Sequence, residues 1–242
     1  MKVIAVIPAR YAATRFPAKL MQMLGDKPVI RHTYDAALAT GLFDEVIVAT
    51  DSDIIYNEIV SAGGRAVMSQ ALHESGSDRI AEAVRTLDAD VVINVQGDEP
   101  FIQKQPLQQL VRLFDDPAVK VGSLMRKIAD DEELQRPSSV KVVVDKFNNA
   151  LYFSRSVIPY PAASSEHPYF LHIGVYGFRK QTLLDFTSWP PARLEMKEKL
   201  EQLRYLENGI QLRMAEVDFQ SVAIDTPEDL ERARQLLSEG HR

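Results

Sequence analysis

The chain has 242 residues, 45% hydrophobic and 26% charged, the profile of a globular protein able to bury a large core. Lys and Arg number 28 against 34 Asp and Glu, a net charge of -6, so no global basic field exists to draw nucleic acid. No cysteine is present, which excludes disulfides and thiolate metal sites and makes a reducing cytoplasm the default compartment, and no apolar run approaches the roughly 18–20 residues of a membrane span.

The apolar run Val3–Ile7 ends at Pro8. It lacks a small-residue cleavage site and leads directly into a cationic loop, so it reads as a first strand rather than a signal peptide. Arg10, Arg15 and Lys19 follow within ten residues. A buried strand that delivers cations to the carboxyl edge of a sheet is placed where open α/β sheets bind ligands. In an acidic protein this suggests a polyanion, with a nucleoside triphosphate as the candidate and solvated surface as the ordinary alternative. Neither a G-x-x-x-x-G-K-[ST] nor a G-x-G-x-x-G loop occurs, which disfavours the ATPase and dinucleotide cradles.

Helical patterns near Pro28–Thr40, Ser52–Ala62 and Asp78–Leu87 alternate with β-branched runs at Glu45–Ala49 and Val91–Val95. Strands alternating with helices predict βαβ units and a mostly parallel sheet flanked by helices. Ser75-Gly76-Ser77-Asp78 has the form of a capping box. After Val91–Val95 come Gln96-Gly97-Asp98-Glu99. A carboxylate there suits Mg²⁺, although Asp-Glu-Pro is also a common way to turn out of a strand.

From about residue 116 the pattern changes to closely spaced strands, Val119–Arg126, Val140–Val144, Ala150–Ser154 and Leu171–Phe178. These predict an antiparallel β-rich elaboration on one α/β unit spanning 1–242. Arg155 emerges after an aromatic strand, either as a fork for a substrate carboxylate or as an edge-strand guard. In the predicted helix Leu194–Leu206, Met196, Leu200, Leu203 and Leu206 form an apolar core stripe. Glu201 and Gln202 lie off it, on what is by default a solvated face. Of the five histidines, His73 and His172 sit beside candidate segments without a partner at metal-ligand spacing. In AIDTPEDL, Thr226, Pro227 and Asp229 are explained as a helix cap, while Asp225 remains available as a second carboxylate for a metal. Asp51-Ser52-Asp53 matches the D-x-D of metal-dependent glycosyltransferases but reads better as a strand exit and helix cap.

IPARYAATRFPAKL, HESGSDRIAEAV, NVQGDEP, VKVVVD, ALYFSR, HIGVYGF, LEQLR and IDTPEDLERAR occur in this order over almost the whole chain. Together they resemble the 3-deoxy-manno-octulosonate (Kdo) cytidylyltransferase family. The resemblance implies a nucleotidyltransferase-type α/β fold, with residues 1–115 as the nucleotide-binding half and 116–242 as the sugar-binding and dimerisation half. It implies a cytoplasmic homodimer that converts CTP and Kdo into CMP-Kdo and pyrophosphate for lipopolysaccharide, with Mg²⁺ as cofactor. An acylneuraminate or 8-amino-Kdo cytidylyltransferase is the neighbouring alternative.

By this resemblance Arg10, Arg15 and Lys19 hold the CTP phosphates, and Ser75, Gly76 and the backbone near Ala9 border the cytosine. Gln96 contacts nucleotide or sugar, and Asp98 and Asp225 bind Mg²⁺. Arg155, His172, Tyr176, Glu201 and Gln202 surround Kdo. Arg79 matches a basic family position with no ligand assigned. Ala18 stands where the family pattern S-T-R-[LF]-P-G-K has glycine, which predicts a local departure or a stiffer loop.

Overall fold

The computed structural model describes every residue except 13–15, 72, 74, 161–167, 220, 221 and 240–242. The chain forms two compact units, Met1–Leu107 with Gln220–Arg242, and Gln108–Phe219.

The first unit begins with β1 (Val3–Ala9), a hairpin of β2 (Met23–Leu24) and β3 (Lys27–Pro28), and α1 (Val29–Ala39). β4 (Glu45–Thr50), α2 (Asp53–Ser61), β5 (Ala66–Met68), α3 (Gly76–Val84) and β6 (Val91–Asn94) follow. β1 pairs in parallel with β4 on one side and β6 on the other, and β5 extends the β4 side. The chain therefore reverses its direction of travel across the sheet beside β1, the type of switch point at which such sheets bind ligands. Ile4, Ala5, Val6 and Ile7 are fully buried, which explains why β1 reads as an unbroken apolar run rather than an alternating one. Pairing with β6 ends at Val6↔Asn94, whereas pairing with β4 continues to Ala9↔Thr50. Pro8 thus lies beyond the last β6 pair.

The division between units falls inside α4 (Lys104–Arg112). The second unit contains β7 (Val121–Lys127), α5 (Asp131–Gln135), β8 (Lys141–Val144), β9 (Ala150–Ser154) and β10 (Phe170–Arg179). It continues through α6 (Lys180–Phe186), α7 (Arg193–Glu198), α8 (Leu203–Glu207) and β11 (Leu212–Glu216). β10 pairs antiparallel with both β7 and β8, β8 and β9 form a hairpin, and β11 runs parallel to β7. The expected antiparallel elaboration is present. A register shift between Ile173 and Tyr176 bulges β10. The last segment returns to the first unit and ends in α9 (Pro227–Ser238), with the Thr226–Asp229 capping box and Pro227 in the first turn, as the sequence predicts.

One predicted element is corrected. The region read as a single helix over Leu194–Leu206 is two helices, because Lys199 takes left-handed angles, φ 57° and ψ 48°. The break shifts the helical phase, so Met196 is 52% exposed instead of joining the core, while Leu200 and Leu203 are buried.

Ala18 also occupies the left-handed region, φ 52° and ψ 31°. The loop keeps a glycine-type conformation with an alanine in it, at a strain of about 1–2 kcal/mol, partly offset by alanine's smaller entropy loss on folding. Ala18→Gly is expected to stabilise the protein by about 0.5–1 kcal/mol, read from the urea midpoint at unchanged m-value.

Candidate active site

At the carboxyl ends of the first unit's strands, three segments distant in sequence meet on one ammonium group. Lys19 Nζ donates to Asp98 Oδ2 at 2.5 Å and to Asp225 Oδ1 at 2.8 Å. Lys19 follows the left-handed Ala18 and starts a short 3-10 turn ending at Met21. Asp98 follows β6 through Gly97, where an added Cβ would come within 3.2 Å of Pro8 O and Ile30 Cδ1, so only glycine fits without displacement. Thr33 of α1 donates to Gly97 O at 2.9 Å and fixes this turn. Asp225 is carried by the return segment, where Ile224 N donates to Asp98 O at 2.9 Å. Asp229 Oδ2 accepts from Asp225 N and from Thr226 N, so the helix cap also holds the loop bearing Asp225. Burial lowers the Lys19 pKa, but Asp98 and Asp225 outweigh it and hold the ammonium above its ordinary value.

Around this cluster the first unit brings other expected residues to the same edge. Arg10 is exposed just past β1, and Ala9 is buried at the strand's end. Gly76 opens α3 against Pro8, and Ser75 caps that helix by accepting from Asp78 N at 3.1 Å. Gln96 is half-buried and donates to Asn94 Oδ1 at 3.3 Å. Arg15 lies outside the described residues. Arg79 acquires a structural role. It is buried and binds Asp51 Oδ2 at 2.7 Å and Ser69 Oγ at 3.3 Å, which ties α3 to the ends of β4 and β5. Asp51, the first residue of the D-x-D match, is thereby engaged by a cation of the protein itself.

The second unit gathers the remaining candidates. His172 and Tyr176 lie within a run of aromatic rings, with His172 5.0 Å from Phe153 and 5.3 Å from Tyr176, and Tyr176 stacked 5.8 Å from Phe178. Both are half-buried, and the dense protein around them favours their neutral forms. Burial pushes the His172 pKa down to about 3, and burial, followed by the charge of Glu201, pushes the Tyr176 phenol well up. Gln202 is 5% exposed, contrary to the default expectation of a solvated face, because it follows the Lys199 break and immediately precedes α8. Its Nε2 lies 3.5 Å from His172 Nδ1.

Arg155 uses its guanidinium on carbonyls: Nε to Glu198 O at 2.9 Å, Nη1 to Pro137 O at 3.1 Å and Nη2 to Lys199 O at 3.3 Å. It therefore clamps the chain where α7 breaks, just ahead of Glu201 and Gln202. Glu198 completes this anchor by accepting from Ser154 Oγ and from Arg155 N. The fully buried Lys141 donates to Arg155 O at 2.7 Å, and burial, then Arg155, lowers its pKa.

A family model described as cytidylyltransferase matches residues 4–216. The chain belongs to the cytidylyltransferase family. It is 61% identical to the 3-deoxy-manno-octulosonate cytidylyltransferase of Flavobacterium johnsoniae, over 98% of this chain and 99% of that relative. It is 51% identical to the protein of the same name from Christiangramia forsetii, over 98% and 97% respectively. A solved structure of a CMP:2-keto-3-deoxy-manno-octonic acid synthetase complexed with CTP superimposes with a TM-score of 0.94 at 40% identity, covering 99% of both chains. A 4-diphosphocytidyl-2C-methyl-D-erythritol synthase from Anaerococcus prevotii, at 16% identity and a TM-score of 0.65, shares the fold.

Membership in a nucleotidyltransferase family suggests a divalent metal, and the donor set fits one. Two carboxylates already converge on a single cationic centre, and hard oxygen ligands suit such ions. Among the described residues no group of three or more His, Cys, Asp and Glu could hold a metal. Phosphate and water would have to complete the coordination of any such ion. No helix among the described residues is long and apolar enough to cross a membrane.

Sequence reasoning missed Ser123, Glu198 and the Asp51 partner of Arg79. Lys141 left one signal, a lysine inside the strand Val140–Val144. Ser123 left none, because a serine in a strand is ordinary.

The His172 shift carries a pH dependence. With a folded pKa of about 3 against an ordinary 6.5, the unfolded chain binds the extra proton between those values. Stability from this residue is complete above about pH 6.5 and is lost progressively as the pH falls towards 3. Urea unfolding of the ligand-free protein between pH 7 and 4 is expected to show this slope, and His172→Gln to flatten it.

Proposed function

We propose that this chain, a CTP-dependent nucleotidyltransferase, transfers CMP from CTP to the anomeric hydroxyl of Kdo and releases pyrophosphate. The product serves lipopolysaccharide assembly. The observation that carries the chemistry is the convergence of Asp98 and Asp225 on the Lys19 ammonium beside the end of β1.

In this reading Arg10, Arg15 and Lys19 bind the triphosphate and stabilise the leaving pyrophosphate, where negative charge accumulates. Ser75, Gly76 and the Ala9 backbone border the cytosine, and Gln96 contacts nucleotide or sugar. Arg155, His172, Tyr176, Glu201 and Gln202 form the Kdo-binding set of the second unit. Within it Arg155 acts chiefly by holding the Glu198–Lys199 carbonyls, and neutral His172 and Tyr176 contribute ring surface and hydrogen bonds. Asp98 and Asp225 hold Mg²⁺, which when bound lowers repulsion around the triphosphate and acidifies the sugar hydroxyl.

The hydroxyl oxygen attacks the α-phosphorus in line and releases its proton to water, the bond to the β-phosphoryl bridging oxygen breaks, and pyrophosphate departs with that electron pair. The protein contributes position and charge, and no side chain is assigned as a general base. We place the enzyme in the cytoplasm, where CTP is available, as a homodimer. Exposed Phe147, Leu151, Leu194 and Met196 on the second unit offer apolar surface to a second copy.

Pyrophosphate release with CTP, Mg²⁺ and Kdo tests the reaction, with 8-amino-Kdo and N-acetylneuraminate assayed in parallel. Turnover is expected with Kdo, and its absence there with turnover of another acid would reassign the substrate. Asp98→Asn is expected to lower kcat by about 10²-fold or more, and near-wild-type turnover at saturating Mg²⁺ would remove Asp98 from the metal site. Lys19→Met leaves two carboxylates around one vacated position. Mg²⁺ without nucleotide is therefore expected to raise the melting temperature of Lys19→Met more than that of the unsubstituted protein, and equal shifts would count against a shared cation position.

A further inference from the structure

Ser123 lies on β7, fully buried, opposite the bulge in β10. Its hydroxyl is surrounded by three groups: Val175 O at 2.8 Å, Ile173 O at 3.1 Å and His172 Nε2 at 3.0 Å. A hydroxyl has one proton to give, and a carbonyl oxygen can only accept. Were that proton donated to His172 Nε2, both carbonyls would face bare lone pairs on Oγ within 3.1 Å. The favourable arrangement gives the serine proton to a bulge carbonyl, which leaves Oγ to accept from Nε2–H. Neutral His172 then carries its proton on Nε2 and an open lone pair on Nδ1. The imidazole is held in place between Phe153 and Tyr176. The Gln202 amide nitrogen lies 3.5 Å from Nδ1, the outer limit of a hydrogen bond in a ligand-free site.

We propose that Ser123 is a positioning residue for the sugar acid: it fixes the Nε2–H tautomer of His172, which turns the Gln202 carboxamide so that its oxygen is presented to substrate. This rests on the reading that His172 and Gln202 belong to the sugar site. It adds a specificity that the residue list does not contain. With its NH₂ directed at His172, Gln202 offers an acceptor, so it selects a hydroxyl of the sugar and does not hold the sugar's carboxylate. The bulge in β10 is part of the device, because it places two carbonyls against Oγ, one of which takes the serine proton.

The test joins a spectroscopic and a kinetic readout. In protein labelled with ¹⁵N-histidine, the His172 signals, assigned by their loss in His172→Gln, are expected to show the Nε2–H tautomer. An Nδ1–H tautomer in the unsubstituted protein overturns the proposal even if no Ser123 variant folds. Ser123→Ala is expected to shift His172 towards Nδ1–H and to raise KM for Kdo by about five- to tenfold, with KM for CTP and kcat little changed, as for the loss of one uniform hydrogen bond. Ser123→Thr, which keeps the hydroxyl, is expected to restore both.

If Gln202→Ala raises KM for Kdo while Ser123→Ala shifts the tautomer without effect on KM, the relay is wrong and the site reading stands. If Gln202→Ala and His172→Gln both leave KM for Kdo unchanged, the site reading is wrong and the proposal falls with it.

Discussion

The Lys19 ammonium is shared by Asp98 and Asp225, and the carboxyl edge of the first unit's strands is organised around that shared charge. The three residues come from a loop after β1, the exit from β6, and a segment that returns from the far end of the chain. Two carboxylates brought this close repel each other unless a cation lies between them. Several local features serve this convergence. Ala18 tolerates left-handed angles immediately before Lys19, Gly97 lets the turn approach Pro8, and the Thr226–Asp229 cap secures the loop of Asp225. In the proposed reaction this edge, which holds positive charge against paired acids, would exchange the ammonium for a metal ion and direct its cations at the triphosphate.

The second unit follows a different physical principle. Its candidate groups are kept neutral or are already engaged. Burial removes the charge of His172, the tyrosine hydroxyl is held as a phenol, and the Arg155 guanidinium is directed to backbone carbonyls. Recognition by such a surface depends on the direction of its donors and acceptors more than on field strength. That direction is set by residues that need not touch a ligand: Ser123 through the imidazole tautomer, and Lys141, Arg155 and Glu198 through the break at Lys199. Preorganisation of this type costs little at the moment of binding, because the side chains are already ordered by packing.

Much of the first unit was legible from residue patterns. Val3–Ile7 and Val91–Val95 read as strands because burial on both faces demands continuous apolar sequence, and both are buried strands here. The caps at Ser75 and Thr226 were readable because hydrogen-bonding geometry at a helix start constrains residue type at fixed spacing. The helix break at Lys199 was not readable. LEMKEKLEQLR has a plausible helical period, and the left-handed residue within it is a lysine, held by contacts from Arg155 more than forty residues earlier. Met196 was misplaced for the same reason. Arg79 shows in the sequence only as a basic residue, and its approach to Asp51 in the fold makes it a tie between helix and strand ends.

The sequence by itself determined the alternation of strands and helices, the cationic loop after the first strand, the two acids Asp98 and Asp225 as metal candidates, and the family. These properties are local: each depends on a hydrophobic period, a cap or a short motif that one stretch of chain carries complete. Only the tertiary structure decided that Lys19 bridges both acids, that Ala18 keeps a glycine's conformation, that Arg155 grips carbonyls, and that Ser123 stands behind His172. Each of these is a matter of distance and direction between side chains far apart in the chain. Such relations arise from the packing of whole elements, and no single segment encodes them.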